Sequence, residues 1–190
     1  MNTGDFGADL ARIVEGIGVV APPKTLLFTV GLEMEEMAEA YLHDGEEFFR
    51  MQDLANAHAA FTYGFGWLCA GVILGYLVSG EEIREELPLF SRPHGEGEKK
   101  LVEKTLRYQQ FLALALDAIC PAPDHASVAY RMADLVRRRA EAMYTRGSGQ
   151  VEESDFLNAL GSFSCGHGWL DAGVRAGLFQ IAGSRHLFTI

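Results

Sequence analysis

Basic residues are scarce in this chain. Lysine and arginine number 16 against 26 aspartates and glutamates, a formal net charge of -10 over 190 residues. Polyanions are repelled on average by such a surface, so nucleic-acid binding would need a local basic patch. Cysteine is scarcer still: Cys69, Cys120 and Cys165 form no C-x-x-C pair. Their number and spacing argue against a zinc site or a disulfide framework and fit buried thiols in a reducing cytoplasm. The opening MNTGDFGADL lacks a basic start followed by an apolar run, so no secretion signal is expected there. Period-two alternation is absent and β-branched residues are scattered, so no strands are expected. Reaction signatures are missing too: there is no G-x-S-x-G and no H-E-x-x-H. A phosphate loop is excluded because the glycines fall inside helical segments rather than after a strand.

Hydrophobic residues make up 48% and charged residues 22%, a balance that excludes a disordered chain. The charge is unevenly spread. Residues 1–95 hold 15 acids and 5 bases, whereas residues 96–190 hold 11 of each. An acidic half joined to a neutral half points to contact between the halves or between protomers.

The main feature is a repeat at an offset of 102 residues. Twelve of the 25 positions from 53 to 77 are identical at that offset without a gap, including Asp53 with Asp155, Asn56 with Asn158, and Trp67 with Trp169. Two matching G-x-G-W-L-x-A-G-V frames identify a duplicated unit. Each copy reads as three helices. The first is expected over Asp5–Gly18 and Glu98–Ile119, ended by Pro22 and Pro23 or by Pro121 and Pro123. The second is expected to start near Pro23 or Asp124 and to end at a glycine cap, Gly45 or Gly147. Asp53 and Asp155 are placed to cap the third, which is expected to reach Ser79 and Ala182. Ser79–Glu82 reads as a capping box for a short linking helix stopped by Pro88. The expected fold is therefore all-α: two tandem three-helix units, each an up-and-down bundle or hairpin, related by internal pseudo-symmetry. Residues 1–90 are the first repeat, 91–97 the linker and 98–190 the second repeat.

Glycine within a helix costs about 1 kcal/mol relative to alanine, so the third helix must gain something from its glycines. On a helical wheel Ala57, Ala60, Gly64, Gly71 and Gly75 form a stripe of small residues, matched by Ala159, Ser162, Gly166, Gly173 and Gly177. The plain reading is close helix packing. The sharper reading is a ligand groove floored by glycine and walled by Trp67 and Trp169. The uncharged run Ala59–Ser79 also invites a membrane reading, but its partner carries His167, Asp171 and Arg175, which are costly in lipid. No membrane association is expected.

The frame Phe163–Phe179, F-x-x-G-x-G-W-L-D-A-G-V-R-x-G-L-F, together with S-D-F-L-N-A at Ser154–Ala159, resembles an archaeal family of domains of unknown function, DUF357. The resemblance covers most of the second copy and, more loosely, the first. It implies a small left-handed three-helix bundle or long helical hairpin and an archaeal source, and it implies no activity. The first copy departs from the pattern with Cys69 and Ile73 in place of Asp and Arg.

Three functional expectations follow. The preferred one is a non-enzymatic interaction module acting as a homodimer or with a protein partner. Its proposed face pairs Glu35 and Glu36 with Arg137, Arg138 and Arg139; at the offset Glu35 matches Arg137, Glu36 matches Arg138 and Met37 matches Arg139. The second is a small-ligand binder or enzyme. His167, Asp171 and Arg175 share one helix face at i, i+4 and i+8, with Trp169 and Asn158 nearby; the plain alternative is a surface ion-pair ladder. The third is RNA binding through Arg131, Arg137, Arg138, Arg139 and Arg146, disfavoured because no aromatics are interleaved with them and no R-x(4–6)-H follows a HEPN-type ribonuclease pattern. Glu33, Glu35, Glu36, Glu39 and His43 crowd the second helix, but no Glu-x-x-His occurs, so they read as a solvated acidic face. No metal and no cofactor is expected, and the location expected is cytoplasmic.

Overall fold

A computed structural model describes residues 1–84, 86–91 and 98–189. Except for Ser91, the expected linker 91–97 lies outside the described residues. The six helices are α1 (Thr3–Glu15), α2 (Leu26–Arg50), α3 (Leu54–Ile73), α4 (Glu98–Asp117), α5 (Val128–Glu152) and α6 (Phe156–Arg175). The second and third helices of each copy begin and end 102 residues apart, so the sequence repeat is a structural repeat. α3 and α6 pack together at the centre; α2 flanks α3 and α5 flanks α6. α4 lies against α6, and α1 takes the corresponding place against α3 and α2. One hydrophobic cluster runs through both halves.

Local chemistry sets the boundaries. Asp53 and Asp155 cap α3 and α6, each accepting the N–H three residues on. α2 and α5 start later than the prolines indicate, because Thr25 and Ser127 accept the N–H of Phe28 and Tyr130, both at 3.1 Å. They also run past Gly45 and Gly147. Those glycines are not caps: a Cβ at either would lie 2.4–2.5 Å from the ring of Phe61 or Phe163, so they are seats for the two phenylalanines. The chain turns instead at Gln52 (φ 61°) and Ser154 (φ 60°).

Strands are present, contrary to the periodicity reading. β1 (Ile17–Val19) pairs antiparallel with β2 (Leu77–Ser79), and β3 (Ile119–Pro121) with β4 (Phe179–Ile181). Three residues are too few to display a period-two pattern. These ribbons shorten α1, α3, α4 and α6 relative to expectation. Gly75 and Gly177 consequently lie beyond the helix ends at φ +77° and +72°, where they let the chain reverse into the ribbon. No linking helix forms at Ser79–Glu82; the Ser79 hydroxyl accepts the Glu81 N–H in a simple turn. Cys69 and Cys165 are buried, whereas Cys120 is exposed on its strand. Among the described residues no helix is long and apolar enough to cross a membrane.

Candidate functional site

His167 and Asp171, one turn apart on α6, face an open-mouthed cavity of about 350 Å³ lined by α2, α3, α4, α6 and the segment carrying His186, Leu187 and Thr189. Asp171 is fully buried. Its carboxylate accepts from the Tyr63 phenol of α3 and from the Thr189 N–H at 3.3 Å. The Thr189 hydroxyl lies 3.1 Å from the same phenol. His167 Nε2 stands 2.7 Å from the Leu187 carbonyl, an acceptor only, which fixes the proton on Nε2. Its distance to the Asp171 carboxylate is 3.8 Å. Burial pushes the Asp171 carboxyl above its usual range, partly opposed by His167 and by the Tyr63 bond. Burial, followed by the neighbouring Asp171 charge, pushes the Tyr63 phenol far above 10. Tyr41 packs against Tyr63 with the rings tilted and their centroids 4.2 Å apart, and its phenol is raised by its own burial.

The other wall is cationic. Lys104 of α4 is buried, its ammonium bonded to the Asn56 side-chain oxygen and held 4.8 Å over the Tyr108 ring. Burial lowers it to about 8. Asn56 is held in turn by the cap of α3: its side-chain amide donates to Asp53 Oδ2 at 2.7 Å, and Lys100 pairs with the same oxygen at 2.6 Å. Against burial, which raises it, Lys100 and the Asn56 bonds keep the Asp53 carboxyl below its usual range.

The residues singled out from sequence are distributed unevenly. His167 and Asp171 meet in the cavity. Arg175 does not join them; it reaches from α6 to Glu33 of α2 at 3.4 Å. Trp67 and Trp169 are fully buried in the core and do not line this cavity, and among the described residues their indole N–H groups have no partner. Gly64 faces α2 at Tyr41 and Ala38, and Gly166 faces α5 at Met143 and Ala140. Gly71 and Gly173 make room for Leu77 and Phe179 of the ribbons. Asn158 belongs to the other half, where it clasps the backbone of Phe90. Among the described residues no ion pair joins Glu35 or Glu36 to Arg137 or Arg138. Arg137 bonds Glu141 at 2.8 Å and Arg138 bonds Asp134 at 2.9 Å, each on its own helix.

Tyr63, Lys104 and Thr189 escaped sequence reasoning. The usable signal lay in the mismatches of the repeat rather than its identities. At the 102-residue offset His167 faces Phe65, Asp171 faces Cys69, Tyr63 faces Cys165 and Tyr108 faces Phe6. At these four positions the cavity carries polar or hydroxyl-bearing groups where the other half has Phe or Cys.

A family model described as a protein of unknown function (DUF357) matches residues 8–77 and again residues 107–179, together more than half of the chain. No curated protein matches the chain, and neither does any solved structure.

Proposed function

The chain belongs to the DUF357 family of proteins of unknown function, with two copies of the family unit in tandem, and from that premise we propose that it binds a small molecule in the cavity beside Asp171 and Lys104. The single observation that carries this reading is the volume of about 350 Å³ bounded by Tyr63, Lys104, His167 and Asp171. Sites for small molecules are concave, mostly apolar, and furnished with a few convergent polar groups. Buried groups with displaced titration, Asp171, Tyr63 and Lys104, border the same space and add weight.

Fragment screening by NMR tests the reading. Neutral, cationic and anionic fragments are added to ¹⁵N-labelled protein, and the amides of Ala59, Ala60 and Ser164, which line the cavity, are followed. At least one class shifts them, and Ala60→Trp, which fills the space, abolishes the shift. A folded protein in which no fragment of any class moves those amides overturns the reading.

A second reading, self-association, is favoured by one observation. Val20, Leu26, Leu27 and Val78 stand 55–79% exposed around the β1–β2 ribbon and the start of α2. Light scattering checks it: the wild type runs as a dimer and Leu26→Asp with Leu27→Asp runs as a monomer. A monomeric wild type at high concentration ends this reading.

A further inference from the structure

The chain has four lysines, and one of them is buried. Lys24, Lys99 and Lys100 are exposed, whereas Lys104 is 8% exposed and borders the cavity. Lysine is seldom buried unless an acid pairs with it. Lys104 is held by other means. Its nitrogen donates to the Asn56 side-chain oxygen and stands 4.8 Å from the centre of the Tyr108 ring. Asn56 and Tyr108 both line the cavity, so the nitrogen sits between two groups of its wall. Asn56 is itself fixed, because its amide donates to Asp53 Oδ2 at 2.7 Å and its oxygen is left to face the lysine.

These surroundings favour the neutral amine. Burial, followed by the Arg107 charge, lowers Lys104 from 10.5 to about 8, and Lys100 adds to the effect. Asp53 opposes it, but shares its carboxylate with Lys100 at 2.6 Å. About a quarter of Lys104 is then neutral at pH 7.5, with a lone pair that an ammonium lacks. A lysine desolvated in an apolar pocket, or set beside other cations, is activated toward carbonyl compounds. What surrounds the nitrogen suits an aromatic body. Lys104, Tyr108 and Phe111 stand at i, i+4 and i+7 on α4, so one helix face presents an amine followed by two rings. Phe48 of α2 brings a third ring to the same cavity.

Resting on the small-molecule reading above, we propose that Lys104 captures an aromatic aldehyde as an imine, with the ring of the aldehyde held in the cavity among Phe48, Tyr108 and Phe111. The lone pair of the neutral amine forms a bond to the carbonyl carbon as the C=O π bond breaks, giving a carbinolamine. The C–O bond then breaks, the oxygen leaves as water with the two protons that the nitrogen carried, and a C=N bond remains. No electrons are gained or lost overall, so the step needs no oxidant or reductant.

The probe is benzaldehyde, added to the full chain at pH 7.5 with sodium cyanoborohydride, which reduces any imine to a stable benzylamine. Tandem mass spectrometry then reads the label on each of the four lysines. Exposure alone would place the label on Lys24, Lys99 and Lys100 and leave Lys104 last. The proposal inverts that order: Lys104 is expected to carry about tenfold more label than any exposed lysine, or better. In Ala60→Trp, which fills the space, the label on Lys104 is expected to fall while that on the exposed lysines stays the same. Label that follows exposure in the wild type overturns the proposal without recourse to any variant. So does the same preference for Lys104 in urea, where no cavity remains. If fragments reach the cavity but benzaldehyde does not select Lys104, this inference fails and the small-molecule reading stands; if neither fragments nor the aldehyde reach it, both fail.

Discussion

Gly66 and Gly168 face each other where α3 crosses α6. A Cβ on Gly66 would lie 2.4 Å from the Cys165 carbonyl oxygen, and one on Gly168 would lie 2.4 Å from the Tyr63 carbonyl oxygen. Each would also come 3.2 Å from the Cα of the other glycine. The two clashes are copies of each other, since Tyr63 and Cys165 are themselves 102 residues apart. This contact brings the two halves into one body. The obstructing atoms are backbone, so neither helix can yield by turning a side chain. Gly66→Ala and Gly168→Ala are each expected to cost about 3 kcal/mol or more, at the upper end of overpacking effects. Gly149→Ala provides the contrast. Gly149 lies within α5 with nothing within 4 Å of an added Cβ, so its replacement is expected to stabilise by about 0.5–1 kcal/mol through helix propensity alone. Urea unfolding of the three variants measures both signs.

His58 shows where the repeat was broken at a cost. The ring is fully buried, with Nδ1 3.3 Å from the Thr3 hydroxyl and Nε2 without a partner among the described residues. Burial lowers it from 6.5 to about 4. The folded chain therefore holds a neutral ring where the unfolded chain takes up a proton. The stability this contributes is fully present above pH 6.5 and is lost as pH falls toward 4. At about 1.36 kcal/mol per unit the loss approaches about 3 kcal/mol. The matching residue in the other half is Leu160. His58→Leu is expected to remove that part of the acid sensitivity. Its unfolding free energy, measured from pH 7 to pH 4.5, should run flatter than that of the wild type; parallel curves would assign the sensitivity elsewhere.

Much of the architecture was legible because it rests on local chemistry. Asp53 and Asp155 read as caps and serve as caps, since capping needs only the residue and the next three N–H groups. The repeat was legible because the packing around Trp67 and Trp169 is the same twice. Gly45 and Gly147 misled for an instructive reason. Glycine suits both a helix cap and a ring seat, and only the position of Phe61 and Phe163 decides between them. The cavity was half legible. His167 and Asp171 share a helix face, which spacing reveals. Tyr63 lies 108 residues from Asp171, and Lys104 lies 48 from Asn56, separations that no periodicity connects. Arg175 shares the same spacing, yet the twist of about 40° accumulated with each four-residue step and the proximity of Glu33 draw it out of the site.

The Tyr63 phenol is the donor that keeps the buried Asp171 carboxyl satisfied. Tyr63→Phe removes that bond and little volume. The Asp171 carboxyl is raised in the folded chain, so its contribution to stability is present below its unfolded value of 3.8 and is lost as pH rises through the folded value. Removing a bond that holds the folded value down pushes it higher and deepens the loss at neutral pH. The variant is expected to cost about 1–3 kcal/mol at pH 7 and less at pH 4. Thermal melts at the two pH values give the comparison. A cost independent of pH would mean that Asp171 is neutral throughout.

Phe90 anchors the segment that joins the two copies. Its ring is 6% exposed, gripped by Phe6 and His58, and its backbone is clasped by Asn158. Phe90→Ala keeps the clasp and deletes the ring. The expected cost is about 3–5 kcal/mol, the range for emptying a buried aromatic site. What remains is a void bordered by the rings of Phe6 and His58. A neutral ring such as toluene should therefore refill it and recover part of the lost stability by mass action. Melting temperatures of Phe90→Ala with and without toluene give the comparison. No recovery with toluene would show that the site closes up once the ring is removed.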